Sequence, residues 1–162
     1  MKIQNVVIIG SGTMGSGIAA HLCNANIPVT LLDLKTEISE KARDRIFKSK
    51  PPLLLDKSKI NNIKIGNISD NFNVVKEADW IVEAVVERID VKHSIYKKIF
   101  EERKPGAIVS SNTSSIPIKI LSEKLTKEEK KFFEQSEIQK NFHPNPTKKD
   151  KSFFDRVKDM FS

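Results

Sequence analysis

Residues 3–34 constrain the fold more than any other stretch of this chain. The apolar, β-branched run Ile3-Gln4-Asn5-Val6-Val7-Ile8-Ile9 stops at Gly10-Ser11-Gly12-Thr13-Met14-Gly15-Ser16-Gly17. A second run, Val29-Thr30-Leu31-Leu32, ends at Asp33. Between them Met14, Ile18, Leu22 and Ala25 recur at helical spacing. Strand, glycine turn, helix, strand and acid, in that order, make a βαβ unit suited to a dinucleotide. Gly10 permits the tight turn, Gly12 lets backbone approach a pyrophosphate, and Gly15 lets the helix lie close to the strand. The helix N-terminus then faces the phosphates with free N–H groups and the positive end of its dipole. A bare glycine-rich turn is the alternative, and it explains neither the flanking runs nor the acid.

These residues nominate Gly10, Ser11, Gly12, Thr13, Met14 and Gly15 as cofactor contacts, together with Asp33. An acid at the end of the second strand accepts hydrogen bonds from ribose hydroxyls and repels a 2′-phosphate, which favours NAD over NADP. Leu34 follows it where an NADP site would often carry an arginine.

The rest of the chain repeats the alternation. A helix is expected from Thr36, as its cap, with Ile38, Ala42, Ile46 and Phe47 as the apolar stripe, ending before Pro51-Pro52. Strands are expected over 63–68, 80–85 and 107–111, helices over 91–102 and from Ile116, and a short helix over 74–77. The run Trp80-Ile81-Val82-Glu83-Ala84-Val85 is apolar as a strand covered on both faces must be. The fold class is therefore α/β, a doubly wound parallel sheet. Residues 1–125 form the dinucleotide-binding domain, and 126–162 a divergent, partly helical tail. Phe153, Phe154, Val157, Met160 and Phe161 give that tail one apolar helical face. Ligands bind such sheets at the carboxyl ends of the strands. Gly10, Asp33, the segment 83–87 and the polar cluster Ser111-Asn112-Thr113-Ser114-Ser115 all fall there.

At 162 residues the chain can bury a real core, and its 38% hydrophobic content suits a globular protein. The net charge of +7 is concentrated in residues 35–64, which carry nine Lys/Arg against four acids. Phosphates of a nucleotide-like ligand, RNA or an anionic surface could meet such a patch, and so could plain solvent. One cysteine, Cys23, cannot form an intramolecular disulfide. It is expected to pack in the helix, and a cytoplasmic setting follows. No targeting peptide, membrane span or metal site is expected.

Three motifs together carry a resemblance. Residues 10–19, the run Asp79-Trp80-Ile81-Val82-Glu83-Ala84-Val85-Val86-Glu87, and Ser111-Asn112-Thr113-Ser114-Ser115-Ile116-Pro117 resemble the NAD-binding domain of the 3-hydroxyacyl-CoA dehydrogenases. Residues 48–52 and 105–110 are similar to the long bacterial enzymes that fuse this dehydrogenase to an enoyl-CoA hydratase. The resemblance implies fatty-acid β-oxidation chemistry, NAD as cofactor and 3-hydroxyacyl-CoA or 3-oxoacyl-CoA as substrate. Nucleic acid is not implied. Glu87 and Lys92 would lie on the cofactor's ribose and nicotinamide side, Asn112 would also bind the cofactor, and Ser114 would touch both nicotinamide and the substrate's 3-oxygen. Read without the family, Glu87 and Lys92 are a surface pair at a helix start, and Ser114 is a turn hydroxyl.

The chain departs from the family after about residue 133. Counting on from the Ser111 cluster puts the family's catalytic histidine near position 137, which is Glu137. His143, within His143-Pro144-Asn145-Pro146, is a late echo of the motif and the candidate left for the catalytic histidine beside Ser114 as the other catalytic residue, against an ordinary loop histidine. The family's all-helical domain, which closes the acyl-CoA site, is expected to be absent or supplied by a partner chain. Three readings follow: a dehydrogenase weak or inactive alone, a non-catalytic NAD-binding remnant of a decayed or split gene, or an oxidoreductase for a small β-hydroxy acid.

Overall fold

The computed structural model describes residues 3–127, 129 and 130. Five strands, β1 (Val6–Ile9), β2 (Val29–Asp33), β3 (Ile63–Asn67), β4 (Trp80–Glu83) and β5 (Ile108–Ser111), form one sheet in the order β3-β2-β1-β4-β5. Every pairing is parallel, with Ile9 opposite Leu32 on one side and Glu83 on the other. The chain leaves β1 toward β2 and later returns to β4 on its other flank. That reversal makes the β1–β4 crevice the switch point at which such sheets take ligands.

Alternation along β1 explains the two cores. Val6 and Ile8 face one layer, where Ala19, Ala20, Leu22 and Cys23 of α1 (Thr13–Asn24) meet Ala42 and Ile46 of α2 (Thr36–Lys48). Val7 and Ile9 face the other, against Ile95, Tyr96 and Ile99 of α3 (Ile89–Glu102) and Leu121 of α4 (Ile118–Leu121). A parallel strand covered on both faces must be apolar at successive positions, as these four residues are. Cys23 is buried among them, and that burial pushes its thiol up to about 11. Its expected packing role holds.

Local expectations for α2 and for the short helices are corrected. Thr36 is the first residue of α2 rather than its cap; Lys35 holds the cap position, and the Thr36 hydroxyl accepts from the Asn67 amide of β3. The buried stripe of α2 is Ser39, Ala42 and Ile46, while Ile38 and Phe47 stand at its exposed margin. Ser39 sits inside because its hydroxyl donates to the Gly66 carbonyl at 2.8 Å, so the polar group is satisfied. The expected short helix before β4 is a 3₁₀ turn, Phe72–Glu77, and α4 is one turn behind Pro117. Among the described residues no helix is long and apolar enough to cross a membrane.

Candidate functional site

The carboxyl ends of β1, β2, β4 and β5 bring the nominated residues to one edge. Gly10 leaves β1 with φ +104°, a conformation glycine adopts readily. A Cβ there would stand 2.4 Å from the Ala84 carbonyl, and one on Gly15 would stand 1.9 Å from the Gly10 carbonyl. These two glycines are therefore closed against protein. Gly12, at the N-cap of α1, is the opposite: a Cβ there would meet no atom of the described residues within 4 Å. Among the described residues no side chain caps α1, whose first-turn N–H groups lie beside exposed Thr13 and Met14.

Ser11 is fully buried and is the pin of this loop. Its N–H and hydroxyl both donate to Asp33 Oδ2, at 2.7 and 2.6 Å. Its carbonyl accepts from the Ser16 hydroxyl and from Arg45 of α2, each at 2.9 Å. Its polar groups are thus turned onto protein, so it shapes the loop rather than presenting itself. Asp33 is partly exposed, and Oδ1 takes the Leu34 N–H at 2.7 Å. Three of a carboxylate's roughly four acceptor sites are then filled, which leaves one for an outside hydroxyl.

Across the crevice stands a second polar system. Glu83, the last residue of β4, is wholly buried. It accepts from Lys92 Nζ at 2.7 and 2.9 Å, Tyr96 Oη at 2.6 Å, Ser111 Oγ at 2.6 Å and the Val85 N–H at 2.9 Å. Burial and the Glu83 charge push the Tyr96 hydroxyl up, so it stays a donor. Lys92, also wholly buried, reaches Glu87 Oε2 at 3.2 Å.

Glu87 Oε1 then gathers the turn after β5. It takes the Thr113 hydroxyl at 2.5 Å and, at 3.1 Å each, the Ser114 N–H, the Ser115 N–H and the Ser115 hydroxyl. Burial pushes the Glu87 carboxyl up, but the hydrogen bonds from Thr113 and Ser115 and the Lys92 ammonium outweigh it and hold it at about 2. Glu87 is thus a carboxylate throughout the ordinary pH range, with acceptor capacity left on Oε2. Ser114 is exposed, and Asn112 ties β5 back to β4 through its N–H to the Glu83 carbonyl at 2.7 Å.

The structure therefore gathers Gly12, Thr13, Met14, Asp33, Glu87, Asn112 and Ser114 at one edge, with Ser11 and Lys92 buried behind it. His143, the tail face at 153–161 and the rest of the divergent segment lie outside the described residues, apart from 126, 127, 129 and 130. Glu83, Tyr96 and Arg45 were not singled out from sequence. An acid inside an apolar strand, with Lys92 and Tyr96 four apart on the helix that follows, was the available signal for the first two.

Residues 5–135 match the family model described as the 3-hydroxyacyl-CoA dehydrogenase, NAD binding domain. A Rickettsia felis protein that carries the name of a fatty acid oxidation complex trifunctional enzyme is 40% identical over 131 residues, covering 76% of this chain and 18% of its own length. A Deinococcus radiodurans protein named "Probable 3-hydroxyacyl-CoA dehydrogenase" is 38% identical over 125 residues, 73% of this chain and 36% of its own. The crystal structure of 3-hydroxybutyryl-CoA dehydrogenase from Escherichia coli gives a TM-score of 0.68 at 27% identity, covering 78% of this chain and 28% of that one. The chain spans well under half the length of each of these relatives. The match runs through the glycine loop, Asp33, the 83–87 segment and the Ser111 turn, and the chain belongs to the NAD-binding domain family of the 3-hydroxyacyl-CoA dehydrogenases.

Proposed function

We propose that this chain binds NAD(H) across the β1–β4 crevice, as the dinucleotide-binding half of a 3-hydroxyacyl-CoA dehydrogenase, with residues 1–125 as the binding unit. The observation that carries the reading is the contrast among the glycines. Gly10 and Gly15 are closed against backbone, while among the described residues nothing lies within 4 Å of a Cβ on Gly12 and no side chain caps the start of α1 beside it. A pyrophosphate fits that space, because it needs N–H donors, the positive helix end and no Cβ.

Asp33 would hold the adenosine ribose with its free acceptor site. Glu87 Oε2, Asn112 and Ser114 would meet the nicotinamide half, and Lys92 would act there through Glu87. Met14, Leu34 and Val86, all exposed, offer apolar surface that flat rings can cover. NAD, when bound, supplies the hydride acceptor for a 3-hydroxyacyl-CoA. This chain's own part is to orient that cofactor and to present the Ser114 hydroxyl where the 3-oxygen would lie.

Proton transfer is a separate requirement. Of the histidines among the described residues, His21 sits in the last turn of α1, far from this edge, and His93 Nε2 lies 3.0 Å from the Ile120 carbonyl. The proton acceptor and the acyl-CoA groove are therefore assigned to residues outside the described ones, in this chain or a partner. The same observation favours a second reading, an NAD-binding module without catalysis. Titrating NADH fluorescence against wild type and Gly12→Val tests the cofactor assignment: saturable binding lost in the variant supports it, and equal binding by both overturns it.

A further inference from the structure

We propose that Glu83 is a positioning residue for the nicotinamide half of the site, acting through Lys92 and Glu87 without touching the ligand. The inference rests on the cofactor reading above. Five hydrogen bonds converge on the Glu83 carboxylate, more than its roughly four acceptor sites accommodate singly, and the side chain is wholly buried. It has nothing left to offer a ligand. Its donors come from three elements: Ser111 from the end of β5, Lys92 and Tyr96 from α3, and Val85 from the loop leaving β4.

A buried ion pair is a poor way to gain stability, since apolar side chains of similar volume do as well or better. A fully satisfied buried polar network does something else: it fixes one arrangement of its members. Here the arrangement runs outward to the surface. Glu83 holds Lys92, Lys92 holds Glu87 Oε2, and Glu87 Oε1 holds the Thr113, Ser114 and Ser115 turn. Ser111 fixes the root of the same turn directly. The adenosine side, with Asp33 and Ser11, shares none of these bonds.

That separation gives the inference its test. Glu83→Gln keeps the shape of the side chain and removes its charge, leaving Lys92 with Glu87 as its one anionic partner among the described residues. Isothermal titration of the whole chain with NADH and with ADP, which lacks the nicotinamide half, should show NADH weakened by about tenfold, within the range of directly coupled side chains. ADP should bind as to wild type. In the double variant with Lys92→Met the losses should be less than additive. If Glu83→Gln does not fold, Tyr96→Phe removes one donor to the same carboxylate and keeps the ring, and a smaller loss confined to NADH is expected. Equal loss of both ligands, or no loss of either in a folded variant, overturns the inference and leaves the cofactor reading standing. Wild-type protein that binds ADP and not NADH overturns both.

Discussion

Ser11 donates twice to one oxygen of Asp33, from its N–H at 2.7 Å and from its hydroxyl at 2.6 Å. The acid that ends β2 therefore does two jobs. It anchors the glycine loop, and on the proposed cofactor reading it keeps one acceptor site for a ribose hydroxyl. Charge-assisted bonds of this kind are short and strong, worth about 1.5–3 kcal/mol each.

Ser11→Ala should lower unfolding stability by about 1.5–3 kcal/mol, because one of two bonds to a carboxylate is lost inside a buried loop. Urea denaturation measures it. Asp33→Asn separates the two jobs: it also removes the negative charge that opposes a 2′-phosphate, so the ratio of NADPH to NADH affinity should rise. A variant with the wild-type ratio would remove Asp33 from the cofactor site and leave it as an anchor.

Gly15 and Gly12 should respond oppositely to a methyl group. Gly15→Ala places a Cβ 1.9 Å from the Gly10 carbonyl, so α1 or the loop must move, at a cost of about 1–3 kcal/mol or more. Gly12→Ala meets no atom of the described residues within 4 Å and should stay within about 1 kcal/mol of wild type, the scale of an N-cap exchange. Thermal melts and NADH titration on the pair separate fold from ligand. A stable Gly15→Ala would mean that the loop yields more easily than its contacts indicate.

Glu87 gives a pH signature. Its folded value, about 2, lies below the 4.5 of a free glutamate. A depressed acid stabilises the fold fully above the free value, and that contribution fades as pH falls from about 4.5 toward 2. Glu87→Gln should therefore be less stable than wild type at neutral pH, with the gap closing below pH 4. Paired urea titrations between pH 7 and pH 2.5 read this directly, and a gap that widens in acid would contradict the hydrogen-bonded carboxylate.

Cys23 offers a probe of opening. Burial pushes its thiol up to about 11, and thiolate is the reactive form, so alkylation at pH 8 should be slow in the folded chain. Labelling by iodoacetamide should accelerate in step with urea-induced unfolding. Fast labelling of the native protein would show that α1 opens locally.

The order of strands and helices was legible because each element carries its own period. The β-branched runs of β1, β2 and β4, and the stripes of α1 and α3, needed no distant partner to be recognised. Contacts between elements were not legible. Thr36 has the chemistry of a cap, yet Asn67 of β3 claims its hydroxyl. Ser39 interrupts an apolar stripe, and only the nearby Gly66 carbonyl makes its burial tolerable. At the site, the glycines and Asp33 announce themselves through local spacing. Arg45 grips the Ser11 carbonyl from 34 positions away, and Glu83 meets Ser111 across 28, so neither link has a local signature.

The 162-residue chain should show little dehydrogenase turnover with NADH and acetoacetyl-CoA. A proton donor and acceptor for the 3-oxygen needs a pKa near the working pH. Among the described groups at this edge, Glu87 is held at about 2, and Lys92 is buried and bonded to two carboxylates. The Ser114 hydroxyl can orient an oxygen but is a poor base. A positioned acid–base group is worth on the order of 10²–10⁴ in rate, so orientation alone leaves the reaction far below the ordinary turnover of roughly 10 s⁻¹. His143 is the candidate that sequence offers for the missing role, which makes His143→Ala the decisive comparison. Turnover near 10 s⁻¹ that collapses in this variant would install His143 as the catalytic base and overturn the expectation. Such turnover unchanged in the variant would place the base on another residue of the chain. Slow turnover in both proteins, with NADH still bound, is the expected result.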